Sequence, residues 1–120
     1  MIQVRLFHVP ALLVSGALAC AAAWAHHGWS EYDTSRALTL TGVIKESGYE
    51  HPHGHLRLET PGKTWQVTLA PPSRMERRGL GAGDLKAGSR LTVEGYPHRD
   101  KPGEMRAERV RVNGKTVELR

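Results

Sequence analysis

One change of period constrains this chain most. Residues 71–79, PPSRMERRG, interrupt a series of two-residue alternations, and nothing else in the body of the chain does so. Ser73 with Glu76 three residues on reads as a capping box, and Gly79 as a helix stop, so a short helix is expected over 73–78. On both sides of it the pattern is that of strands. Residues 37–45 (ALTLTGVIK) place Leu38 and Leu40 on one face, and the phase changes at Gly42, as in a bulge or a coiled long strand. Residues 55–59 (HLRLE) and 64–69 (TWQVTL) alternate around the turn signal Pro61-Gly62-Lys63 and read as a hairpin. After the helix, Leu80 and Leu85 are expected to tuck under the following loop.

Residues 90–95 (RLTVEG) form a fourth strand with Leu91 and Val93 inward, and 105–112 (MRAERVRV) a fifth. The step from Ala107 to Val110 breaks alternation and predicts a bulge. Asn113-Gly114 is a strong two-residue hairpin signal, after which 115–119 makes a last short strand. Three strands, a short helix and two strands is the connectivity of an OB-fold. The expected class is all-β, a small five-stranded OB-like Greek-key barrel with one helix between strands 3 and 4. A small SH3-like barrel is the alternative. The sequence carries no internal repeat.

Ahead of this body, residues 1–25 carry one charged residue, Arg5, then an apolar, alanine-rich run ending in Ala23-Trp24-Ala25. That is the pattern of a signal peptide cut after Ala25, and the run is too short for a confident membrane span. It leaves 26–120 as a single barrel domain, periplasmic or secreted, with no membrane span. Residues 17–20, ALAC, weakly resemble a lipoprotein box, which would instead anchor the chain at Cys20. Cleavage after Ala25 removes Cys20, the sole cysteine, and with it any disulfide or thiol chemistry.

The chain has 17 Lys+Arg against 12 Asp+Glu, and acids are interspersed among the basic residues near its C-terminus. This describes a mixed solvated surface, with no nucleic-acid stripe.

The histidines are the chemistry-bearing residues. His26 and His27 follow the expected cleavage site. As the first residue, His26 would offer an amine and a ring nitrogen to one ion, and His27 a second imidazole and an amide nitrogen. Such a nitrogen set suits Cu(II) above other divalent ions. The bland alternative is a pair that only flanks the processing site, with Trp29 packed on the barrel. The loop of residues 49–55, YEHPHGH, adds His51, His53 and His55. His53 and His55 are in phase on an incipient strand, so they face one side and are candidates to share an ion, with Glu50 beside them. The alternative is an exposed polar loop. His98 reads as a loop residue. Glu31 and Asp33 are possible supports for His27 or plain surface residues. No nucleophile elbow, phosphate-binding glycine loop or CxxC pair occurs, which leaves no catalytic set.

Ala25-His26-His27-Gly28-Trp29-Ser30, with Tyr32-Asp33, opens a longer pattern. It continues through Leu40-Thr41-Gly42, an aromatic-x-x-Pro-His step ending at Pro52-His53, Trp65-Gln66-Val67 and Ala70-Pro71-Pro72-Ser73-Arg74-Met75. Arg78-Gly79-Leu80, Gly88, Val93-Glu94-Gly95-Tyr96-Pro97 and Arg106-Ala107 complete it. The pattern resembles Domain of Unknown Function 6152, a family of small exported bacterial proteins. The resemblance implies export and a compact β domain, and supplies no activity. The family usually has Asn at the position of His51, so the resemblance gives weight to His26, His27 and His53.

The expectation is an exported, non-enzymatic barrel binding a transition metal, copper foremost, through His26, His27 and His53, with His51 and His55 auxiliary. The alternative is a metal-free OB-like module for a periplasmic protein, peptide or glycan partner, using residues such as Trp65 or Tyr96 with Arg57.

Overall fold

The computed structural model describes residues 28–120. The expected leader, its cleavage site, Cys20, His26 and His27 lie outside the described residues. Six strands follow in order: β1 (Leu38–Gly48), β2 (His55–Thr60), β3 (Lys63–Thr68), β4 (Arg90–Pro97), β5 (Glu104–Val112) and β6 (Lys115–Glu118). A six-residue helix, α1 (Pro72–Arg77), and a 3-10 turn (Ala82–Leu85) connect β3 to β4.

Strands pair in the order β3-β2-β1-β4-β5-β6, and a parallel pairing of β3 with β5 closes the first five into a barrel. This is the expected five-stranded Greek-key barrel, with β6 added beside β5. Closure works because β1 is long enough to serve two neighbours. Its first half pairs with β4, from Leu38↔Gly95 to Val43↔Arg90, and its second half with β2, from Val43↔Glu59 to Gly48↔His55. Gly42 sits where the strand coils from one neighbour to the other. A Cβ there would fall 2.1 Å from the backbone oxygen of Glu59, so only glycine permits the approach. The phase change at Gly42 is therefore a coil. The bulge in β1 comes later, at the register shift between Ile44 and Glu46.

The second expected bulge is present: Glu94 pairs with Arg109 and Gly95 with Ala107, which leaves Glu108 unpaired in β5. The two-residue turns also form as expected, with Gly62 at φ +76°, and Asn113 and Gly114 at +51° and +73°.

The capping box at Ser73 does not form. The helix begins at Pro72 with Pro71 as its N-cap and no side-chain cap, because proline already supplies a helical φ and lacks the N–H that a cap would satisfy. At the other end Gly79, at φ +87°, closes the helix, and the Leu80 amide donates to the Met75 carbonyl (2.8 Å). Met75, Leu80 and Leu85 are thereby driven into one end of the barrel, where they join Ile44, Leu56, Leu58, Val67, Leu91, Val93, Met105 and Val110. Trp65 is half-buried and packs at the margin of this core, with the Lys63 ammonium 4.1 Å from its ring centroid. No helix among the described residues is long and apolar enough to cross a membrane.

Candidate functional site

The residues before β1 form an arm that crosses the outside of the barrel. A turn closes from the Tyr32 amide to the Trp29 carbonyl (3.0 Å). Tyr32 then makes a β-bridge with His98, the Asp33 amide donates to the Pro97 carbonyl (2.9 Å), and the Arg99 amide donates to the Glu31 carbonyl (2.9 Å). The arm is thus bound through its backbone to the loop between β4 and β5. It is also bound through one ring. The guanidinium carbons of Arg106 and Arg120 lie 4.4 and 4.5 Å from the Trp29 centroid, and Tyr96 meets the same ring edge-on at 6.2 Å.

Arg106 is the hub of this patch. It stands at Thr68↔Arg106 in the β3–β5 pairing and at Tyr96↔Arg106 in the β4–β5 pairing. Its neighbours Met105 and Ala107 face the core, so its side chain faces outward. The arm then covers it, leaving it 7% exposed. Gly28 fits closely: a Cβ on it would fall 2.8 Å from Arg106 Nη1. Burial lowers the Arg106 pKa, and the nearby cations Arg74 and Arg120 add to the effect, although arginine stays protonated at any ordinary pH. Arg106 forms no ion pair with a carboxylate among the described residues.

The histidines divide. His53 is half-buried, and its pKa is lowered first by burial and then by Arg106 and Arg74, so its ring is neutral at neutral pH. Its position is set by Gly54, whose amide donates to the Ala70 carbonyl (2.9 Å) and whose carbonyl accepts from the Leu69 amide (2.8 Å). His51 is exposed. His55 is exposed too, with its ring lying over the Cα of Gly48, where a Cβ would meet Cε1 at 2.2 Å. His98 is a structural loop residue as expected: its Nδ1 accepts from the amides of Asp100 (3.0 Å) and Lys101 (3.1 Å), and its Nε2 lies 3.8 Å from Glu31. Asp33 accepts from the Ser35 amide (3.1 Å) and hydroxyl (2.6 Å), a local turn. Among the described residues no three His, Cys, Asp or Glu side chains are grouped as a metal site.

Sequence reasoning missed the arginine patch. In strand 5 the alternation marks Arg106 as a surface residue, and its burial comes from an arm 77 positions away. Away from this patch, an open groove of about 380 Å³ runs past Thr41, Arg90, Thr92, Arg111 and Lys115, with no histidine in its lining.

A model described as a family of unknown function, DUF6152, matches residues 13–106. The chain belongs to this family. The match spans the arm, His53, Arg74 and Arg106 together. No curated protein matches the chain. Among solved structures, the ZRD-deleted mutant of TiaS in complex with agmatine is similar at a TM-score of 0.50 and 19% identity, over 73% of this chain and 25% of that one. The TiaS–tRNA(Ile2)–ATP complex is similar at a TM-score of 0.48 and 19% identity, over 74% of this chain and 20% of that one. This chain therefore spans a quarter or less of those proteins, and the likeness is one of fold.

Proposed function

We propose that this DUF6152 protein is an exported, non-enzymatic barrel that binds one transition-metal ion, copper foremost, through His26, His27 and His53. One observation carries the reading. Gly28, the residue after His26-His27, abuts Arg106, and Arg106 is also an electrostatic neighbour of His53. Two residues of chain span at most about 7 Å, so ligation by a His26-His27 pair would fall within reach of the patch that His53 borders. His53 is suited to ligation because its depressed pKa leaves no proton to displace. Arg106 and Arg74 oppose added positive charge. That favours a ligand set in which a deprotonated amide nitrogen reduces the charge of the complex, as Cu(II) accepts. His51 and His55 are auxiliary, exposed at either side of His53.

The test compares a chain beginning at His26, its start verified by intact mass, with one carrying a single extra residue. Cu(II) titration calorimetry and electron paramagnetic resonance read the outcome. The extra residue is expected to weaken binding at least about tenfold and to change the spectrum, and His53→Ala to weaken it by a similar factor. Equal affinity and the same spectrum in both chains would overturn the amine ligand, and unchanged binding by His53→Ala would remove His53 from the set.

A further inference from the structure

We propose that Arg106, with Arg74 beside it, anchors a binding site for a small oxyanion, a carboxylate or a phosphate, on the outer face of the barrel under the arm. This inference does not depend on the metal.

Several arginines of this protein have carboxylate partners. Arg109 is held between Glu94 and Glu118, Arg111 reaches Glu94 (3.5 Å), and Arg57 reaches Glu46 (3.4 Å). All three are more exposed than Arg106. Arg106, the most buried cation among the described residues, has no carboxylate partner there. Glu31 acts on it from a distance, but that carboxylate is directed to His98 and is largely exposed. Arg74, the other cation facing the patch from α1, is likewise without a carboxylate and spends one N–H on the Leu119 carbonyl (3.1 Å). Arg120 lies over the shared ring as well, with Glu108 as its carboxylate partner (3.8 Å).

Burying a cation near other cations is unfavourable, and a cation–π contact offsets only part of the cost. An arrangement of this kind is stabilised when an anion completes it. The guanidinium also lacks a partner: among the described residues the Arg106 side chain makes no hydrogen bond, although it is 7% exposed. Its fork of N–H groups is therefore left without acceptors among the described residues and suits bidentate contact with an oxyanion. Neutral donors stand beside it. Thr68 is its partner across the β3–β5 seam, and the Tyr32 hydroxyl lies 3.5 Å from Thr68 Oγ1, too long for a strong bond. That long bond is the hydroxyl pair a ligand here would have to replace.

The experiment is a ¹⁵N NMR titration of the full mature chain, stripped of metal on a chelating resin. Sodium phosphate and sodium succinate are added in separate arms at constant ionic strength set with chloride. The side-chain Nε–H of Arg106 and the indole N–H of Trp29 are followed. Saturable shifts in the low-millimolar range or below are expected in at least one arm, and the arm that saturates names the class. Arg74→Gln is expected to raise the dissociation constant about fivefold or more, and Arg106→Met to abolish saturation. Arg77→Gln, exposed on the same helix, is expected to titrate like the unaltered protein. Linear, unsaturated shifts in both arms would overturn the site, as would unchanged titration of Arg74→Gln, a variant that keeps Arg106 and the arm contacts in place.

Discussion

The inside of the barrel and the patch beneath the arm are both dehydrated, and they are built on opposite terms. Inside, every side chain is apolar, no buried polar atom lacks a partner, and nothing is left for a ligand to satisfy. Under the arm, Arg106 is buried against an aromatic ring with no ion pair of its own among the described residues, while Arg120 over the same ring is paired with Glu108 (3.8 Å). The first arrangement makes a fold and the second keeps an unmet electrostatic demand. Small domains gain most of their stability from the former, so a region of the latter kind is where function is to be sought.

Three measurements sharpen the contrast. Leu58 is fully buried in the barrel, and Leu58→Ala is expected to cost about 3–5 kcal/mol in urea unfolding while leaving any anion titration of the folded fraction intact. A loss below about 1 kcal/mol would mean that the interior is not the source of stability argued for it. Trp29→Ala removes the ring shared by two guanidinium groups. It is expected to cost about 1–2 kcal/mol and to increase proteolysis between residues 28 and 36, with the barrel still folded. Global unfolding of that variant would show that the arm belongs to the cooperative core.

The smallest effect concerns Asp84. Its carboxylate accepts from Lys115 (2.9 Å), Asn113 (3.2 Å) and the Gly81 amide (3.0 Å), which lower its pKa from 3.8 to about 2. A depressed carboxylate pKa contributes stability that is fully present above about pH 4 and is lost as pH falls through 2. Asp84→Asn is therefore expected to cost about 1 kcal/mol at pH 7, after allowance for solvent screening, and nearly nothing at pH 2. A cost independent of pH would assign the effect to packing.

The barrel was legible because its determinants are local. Alternation, the Pro61-Gly62 and Asn113-Gly114 turns, and the single change of period at 71–79 each act within a few residues. The departures are local too: Pro71-Pro72 starts the helix ahead of Ser73, and β1 coils at Gly42, one of the two readings of that glycine, with its bulge after Ile44. Leu38 and Leu40 are half-buried at the edge of the core. The arginine patch was not legible, because Arg106 in isolation alternates outward like any surface residue. Only the return of Trp29 over strand β5 buries it, and no spacing rule encodes that return. His53 could be singled out from the sequence as a candidate, but its electrostatic tie to Arg106 and Arg74 depends on how the loop and the helix meet.

The parallel pairing of β3 with β5 rests on three register pairs, Gln66↔Glu104, Val67↔Met105 and Thr68↔Arg106, where β2 and β3 share six. A barrel opens at its shortest seam. Arg106 is the last residue of that seam, and the arm lies across it like a latch over the edge of a door. Whatever binds Arg106 in the closed form alone would slow amide exchange along β3 and β5 first, so occupancy at the surface would be felt as stiffness in the wall.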